Sequence, residues 1–177
     1  MKRLLIATIV LATVWAGYWV FASRGVKSEL EGWFADRRAE GWIAEYADLS
    51  VSGFPNRVDS SFVDLSLADP DAGWAWQVPL FQLLTLSYKP NHIIAIWPNQ
   101  QFLATPLQKF DISSTKLQAS VVVEPGQMLP LDRANLVADT LTLQTDDGQA
   151  TTMTSLRAAV QSMDDGPNTY RFAIEAE

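Results

Sequence analysis

Residues 63–78, VDLSLADPDAGWAWQV, carry the reading on which the fold turns. Val63, Leu65 and Leu67 alternate with Asp64 and Ser66, and Trp74, Trp76 and Val78 alternate with Ala75 and Gln77. A period of two places successive side chains on opposite faces of a strand. Between the two runs, Asp69-Pro70-Asp71-Ala72-Gly73 has the chemistry of a reversal: proline fixes φ, aspartate binds its own backbone, and glycine accepts a left-handed conformation. Two strands joined this tightly pair antiparallel.

The same pattern extends in both directions. Upstream, Leu49 and Val51 alternate with Asp48, Ser50 and Ser52, and Gly53-Phe54-Pro55-Asn56 supplies a turn. Downstream the alternating runs are Leu84-Leu86-Tyr88, Leu117-Ala119-Val121-Val123, Val137-Asp139-Leu141-Leu143, Leu156-Ala158-Val160 and Tyr170-Phe172-Ile174. They are separated by Lys89-Pro90-Asn91, Pro125-Gly126, Asp146-Asp147-Gly148 and residues 164–168. After Gly41 no segment has the length and period of a crossover helix, which disfavours a parallel sheet. Phe81 to Leu84 forms at most a short helical turn. The final run, Thr169 to Ala176, reads as an edge strand or as the front part of a longer sheet.

The first 41 residues read differently. Leu4 to Ala22, LLIATIVLATVWAGYWVFA, is a run of nineteen uncharged residues, and as a helix it reaches roughly 28 Å, near the hydrocarbon thickness of a bilayer. Lys2 and Arg3 precede it, so the positive-inside preference predicts a cytoplasmic N-terminus and an exported, periplasmic C-terminal domain on an inner-membrane, single-pass anchor. Trp15, Tyr18, Trp19 and Phe21 cluster at the distal end, where aromatic rings settle among headgroups. The competing expectation is a cleaved signal peptide with Val14-Trp15-Ala16 as its site, and it too exports the domain. Ser23 then serves as an N-cap, and Val26, Leu30, Trp33 and Phe34 recur at helical spacing toward Gly41. The polar face of that second helix holds as many acidic as basic residues, so Trp33 and Phe34 are expected to pack on the sheet rather than lie in lipid.

The expected class is therefore α+β, mainly β: a transmembrane helix over residues 1–23, an amphipathic helix over 24–41, and a curved antiparallel β-meander sheet over 42–177. In a chain of 177 residues, an apolar share of 48% and seven tryptophans exclude disorder. The formal net charge is -7, and the exported part alone carries 11 basic and 20 acidic residues, which argues against nucleic acid. With no cysteine, disulfides and thiolate metal sites are excluded.

A family resemblance is carried by GWIAEYADLSVSGFPNRVD at residues 41–59, by LADPDAGWAWQVP at 67–79, and by FQLLTLSYKPNHIIAIWP and QQFLATP at 81–106. These stretches, with DRRAEGW over Asp36 to Trp42, resemble domain of unknown function family 2125, uncharacterised bacterial envelope proteins. The resemblance implies an envelope location, an N-terminal anchor and a recurring β architecture, and no activity or catalytic residue.

Chemistry-bearing residues are sparse. His92 is the single histidine, in a turn leading into an apolar strand, so a Ser-His-Asp triad or a two-histidine metal site has little to build on. Asp69 with Asp71, Asp146 with Asp147 and Asp164 with Asp165 sit beside glycine or proline, where aspartate serves turn geometry, and the first pair lacks the ligand ladder of an EF-hand calcium loop. Arg57 is placed to bridge Asp59. The aromatic stretch is the stronger signal: Trp74, Trp76, Phe81, Tyr88 and Trp97 either fill the core or line an apolar groove for a lipid. Trp74, Trp76 and Val78 are expected to share one surface with Leu84, Leu86 and Tyr88 from a later strand. The leading expectation is a non-enzymatic protein, without cofactor or metal, anchored in membrane lipid through Leu4 to Ala22 and binding lipid or another apolar ligand on a sheet face. The alternatives are a scaffold docking envelope proteins by strand addition and, last, a carboxylate-based hydrolase.

Overall fold

The computed structural model describes residues 1–125, 129–163 and 169–177. It opens with one continuous helix, α1 (Lys2–Ala39). The expected boundary at Ser23 is absent: Ser23 lies inside the helix, buried, with its hydroxyl donating to the Val20 carbonyl at 3.1 Å. A serine that binds the preceding turn leaves the backbone ladder intact, and nothing nearby forbids the helical conformation. The stop near Gly41 is as expected. Gly41 takes φ +92, its N–H bonds the Arg38 carbonyl, and Trp42 N–H reaches back to Arg37, the paired bonds of a glycine-terminated helix.

Among the described residues eleven antiparallel strands follow: β1 (Ile43–Glu45), β2 (Asp48–Ser52), β3 (Arg57–Asp69), β4 (Trp74–Leu86), β5 (Lys89–Ile96), β6 (Gln100–Ala104), β7 (Lys109–Thr115), β8 (Gln118–Val123), β9 (Leu131–Thr145), β10 (Ala150–Ser162) and β11 (Tyr170–Glu175). The Asp69 turn is built as its residues suggest: Asp69 Oδ1 accepts from the N–H groups of Asp71 and Ala72, and Gly73 has φ +75. Pairing closes a circuit from β4 through β5, β8, β9, β7 and β6 back to β4. Register shows how this arises. β1 and β2 keep one alignment against β3 (Ile43 opposite Ala68, Asp48 opposite Val63), so they are halves of one strand broken at Tyr46 and Ala47. β7 and β8 likewise share one alignment against β9 (Thr115 opposite Thr140, Gln118 opposite Val137), broken at Lys116 and Leu117. β5 and β6 both lie along β4, with one residue of slip absorbed between Trp97 and Asn99.

These breaks line up across the sheet. Asp64 and Pro79 face one another between paired neighbours on β3 and β4, as do Asp139 and Ser155 on β9 and β10. Asp64, Lys116 and Ser155 have φ of 49, 52 and 51, the left-handed region, and Lys116 Nζ meets Asp139 Oδ2 at 2.9 Å across the line. Pro79 lacks an N–H and belongs where the ladder is open. At this crease β3 and β4 each use one extra residue, so inward positions switch parity: Val58, Ser60 and Phe62 are buried before Asp64, and Leu65 after it.

The crease explains the corrections to the strand reading. β4 runs unbroken from Trp74 to Leu86, so Leu84 and Leu86 belong to the same strand as Trp74 and not to a later one, and the proposed helical turn at Phe81 to Leu84 is strand. The reversal falls at Ser87 and Tyr88, while Lys89-Pro90-Asn91 begins β5. Because parity switches at Pro79, Leu84 and Leu86 leave the Trp76 and Val78 face and gather with His92 and Ile94 around a cavity of about 260 Å³. The turn expected at Pro125-Gly126 and the Asp164-Asp165 turn fall partly or wholly outside the described residues.

α1 lies along β1, β2 and β3. Phe34, 3% exposed, meets Tyr46 at 4.9 Å and Phe62 at 5.4 Å between ring centroids. Trp33 does not share that burial: it is 43% exposed and stacks with Arg37, whose guanidinium lies between the Trp33 and Trp42 rings.

Candidate functional site

The inward face beyond the crease is a set of apolar rows, read directly from strand pairing. One row runs Leu83, Ala95, Ala119, Leu136, Ala158 and Ile174, each opposite the next. The adjacent row runs Thr85, Ile93, Val121, Ala134, Val160 and Phe172. The opposite face is mixed, with Gln118, Arg133, Arg157 and Arg171 among Val137 and Ala159. Alternation of this kind normally buries the apolar side against another layer. Among the described residues α1 packs on the β1–β3 end, and the rows continue through β8, β9, β10 and β11 without a layer above them. Alanine at three positions of the first row leaves room above the backbone. Phe172 and Ile174 at the far end are 63% and 65% exposed.

Where α1 does cover the sheet it leaves a gap. Tyr18, Ala22, Val26 and Leu30, one ridge at four-residue spacing, face Val58, Leu83, Thr85, Pro90 and Ile93 across a cavity of about 240 Å³. Its polar groups are few: Ser60, Thr85, Ser87 and the Tyr18 hydroxyl, which donates to the Ser87 carbonyl at 3.1 Å. A second cavity of about 610 Å³ at β9–β11 is lined mostly by the opposite face, with Val137, Arg157, Ala159 and Glu175 among its walls, and so does not extend the apolar rows.

The aromatic candidates separate into three places. Trp76, Phe81 and Trp97 form a chain of rings, 5.4 and 5.3 Å between centroids, and Phe81 continues it to Phe62. Trp76 also donates its indole N–H to Gln101 Oε1 at 3.0 Å. Trp74 stands at the rim, edge-on to Trp42 at 5.2 Å. Tyr88 is in the β4–β5 turn, 63% exposed, apart from the others. The ridge of Tyr18, Ala22, Val26 and Leu30 was missed because a boundary at Ser23 divides it between two helices; the spacing itself is visible once the helix is continuous.

The remaining polar groups serve local structure. His92 Nε2 and Ser120 Oγ are 2.8 Å apart, a diagonal contact between β5 and β8 on the face away from α1. Arg57 binds Asp59 through two nitrogens, at 2.7 and 3.1 Å, as anticipated. Asp147 Oδ1 accepts from Thr145 Oγ1 and from Gln149 N–H, and the Thr145 bond, followed by the Gln149 bond, lowers its pKa. Among the described residues, no three of His, Asp and Glu converge as metal ligands would.

Residues 19–177 match the family described as an uncharacterized protein conserved in bacteria, domain of unknown function 2125. The chain belongs to this family. Neither a curated protein nor a solved structure matches it. The match begins inside α1, at Trp19, and takes in the ridge from Ala22 onward, the cavity and the apolar rows. α1 is also long and apolar enough to cross a membrane.

Proposed function

We propose that this member of the family is a membrane-anchored, non-catalytic envelope protein that takes the apolar chain of a lipid into the space between α1 and the sheet and along the uncovered rows. α1 is read as a single-pass anchor with its Lys2-Arg3 end cytoplasmic and the sheet periplasmic. The observation that carries the reading is the cavity lined by Tyr18, Ala22, Val26 and Leu30: apolar, sparingly hydrogen-bonded, and formed by the same helix that is apolar enough to span a bilayer. Its volume is below the roughly 300–1,000 Å³ of small-molecule sites, so it accepts part of a chain and the rest lies over Ala95, Ala119 and Ala158. Each methylene removed from water contributes about 0.8 kcal/mol.

The test is mass spectrometry of lipid that co-purifies with the detergent-extracted protein. Leu83→Trp fills the cavity and is expected to remove bound lipid while the unfolding midpoint stays near that of the parent. Ile94→Trp, on the opposite face, is expected to retain lipid. Equal lipid content in both variants would sink the proposal.

A second reading is favoured by β11, which pairs with β10 on one side, while all six of its residues are exposed. An edge left unpaired among the described residues accepts a strand from a protein partner. Lipid-free wild-type protein that cross-links to a partner through β11 would put this reading first.

A further inference from the structure

Three hydrogen bonds tie the apolar run of α1 to the turns at one end of the sheet. Trp15 Nε1 donates to the Pro55 carbonyl at 2.9 Å, Tyr18 Oη to the Ser87 carbonyl at 3.1 Å, and Trp19 Nε1 to the Arg57 carbonyl at 2.6 Å. This fixes the height of those turns on the helix. Trp15 lies seven residues before Ala22, the end of the uncharged run, which is about 10 Å along the helix axis. The part of the run free of the domain is Leu4 to Val14, about 16 Å long and close to half of a hydrocarbon core of about 30 Å. If α1 spans the bilayer, the turns must enter it.

The turns are built for that depth. Irregular backbone is tolerated among lipids only where its polar groups are paired within the protein. The Gly53 carbonyl accepts from Arg57 N–H, the Pro55 and Arg57 carbonyls accept from the two indoles, and the Asn56 carbonyl accepts from both the N–H and the hydroxyl of Ser87. The Arg57 guanidinium is neutralised by Asp59. Outward stand Phe54, 57% exposed and edge-on to Trp19 at 5.5 Å, and the ring of Tyr88, with the exposed side chains of Asn56, Arg57 and Lys89 beside them, a mixture that suits the headgroup layer.

We infer that the turns Gly53–Asn56 and Ser87–Tyr88 are a membrane-inserted foot: Phe54 and Tyr88 sit in the interfacial layer of the leaflet on the domain's side and stand the sheet on the bilayer. The inference rests on reading α1 as a membrane anchor and goes beyond it, because an anchored domain need not touch the lipid. It also places the Tyr18 and Ser87 end of the cavity at the membrane surface.

The chain has no cysteine, so single cysteines report position without background. The full chain in phosphatidylethanolamine and phosphatidylglycerol vesicles is labelled with an environment-sensitive fluorophore at Val14→Cys, Phe54→Cys, Tyr88→Cys or Leu107→Cys. Leu107 is 96% exposed in the β6–β7 turn. Shallow doxyl lipid is expected to quench the labels at 54 and 88 several-fold more than the label at 107, and aqueous iodide to show the reverse order. A label at 14 quenched by lipid, with 54 and 88 as open to iodide as 107, overturns the foot and leaves the anchor standing. A label at 14 that lipid does not quench overturns both.

Discussion

Replacing Phe34 by alanine tests whether α1 is locked to the sheet by one ring. Phe34 is 3% exposed and has three aromatic neighbours, Trp33 at 5.0 Å, Tyr46 at 4.9 Å and Phe62 at 5.4 Å between centroids. Truncating a buried phenylalanine costs about 3 to 5 kcal/mol, the spread reflecting how far the site can collapse. Here the ring sits between a helix and a sheet, two elements that can slide together, so the lower end, about 3 kcal/mol, is expected. That is a large fraction of the roughly 5 to 15 kcal/mol that holds a domain. Trp33→Ala removes a larger ring that is 43% exposed, and should cost about 1 kcal/mol, mostly its contact with Arg37. The assay is guanidinium unfolding of the detergent-solubilised protein followed by tryptophan fluorescence. The helix persists in the micelle, so the transition reports the sheet. Phe62→Ala combined with Phe34→Ala should cost less than the sum of the singles, because the rings share one contact. A Phe34→Ala cost under about 1 kcal/mol, or a Trp33→Ala cost equal to it, would refute the packing argument.

Two further outcomes follow from the turns and the crease. Ser155 holds φ 51, so Ser155→Gly should raise stability by up to about 1 kcal/mol in thermal unfolding, and a loss of stability would show that the hydroxyl matters more than the backbone. The Asp147 carboxyl should titrate below an ordinary aspartate by NMR and return toward it in Thr145→Val, since the Thr145 hydrogen bond is the largest cause of the shift. A folded pKa below the unfolded one means the β9–β10 turn is strengthened above the unfolded value and loses that gain as pH falls through the folded one; an unmoved pKa in Thr145→Val would rule this assignment out.

Antiparallel pairing was legible because strands with one covered face must alternate, and the Asp69 and Gly41 termini were legible because glycine and aspartate have few other reasons to stand there. What escaped was set by tertiary context. Gln100–Ala104 and Lys109–Thr115 are short, half-polar halves of longer strands, and only pairing across the crease gives them strand character. Trp76, Phe81 and Trp97 were identified as a group, and they do meet. Strict alternation placed Leu84, Leu86 and Tyr88 on the face of Trp74, Trp76 and Val78, and it fails at Pro79 because an extra residue there inverts every later position. Tyr88 could not be separated from the group without knowing that β4 ends at Leu86.

The crease makes residue count a shared property of the sheet. A residue lost from one strand at Asp64, Lys116 or Ser155 would turn the rest of that strand inside out against neighbours that kept theirs, exposing leucines on one side and burying arginines on the other. Such a deletion is tolerable only if adjacent strands change together. Point substitution can therefore reshape the apolar rows freely, while length change belongs at the hairpin tips, among them residues 70–73, 105–108 and 146–149. Comparing related chains position by position should find gaps crowded at those tips and missing along the fold line.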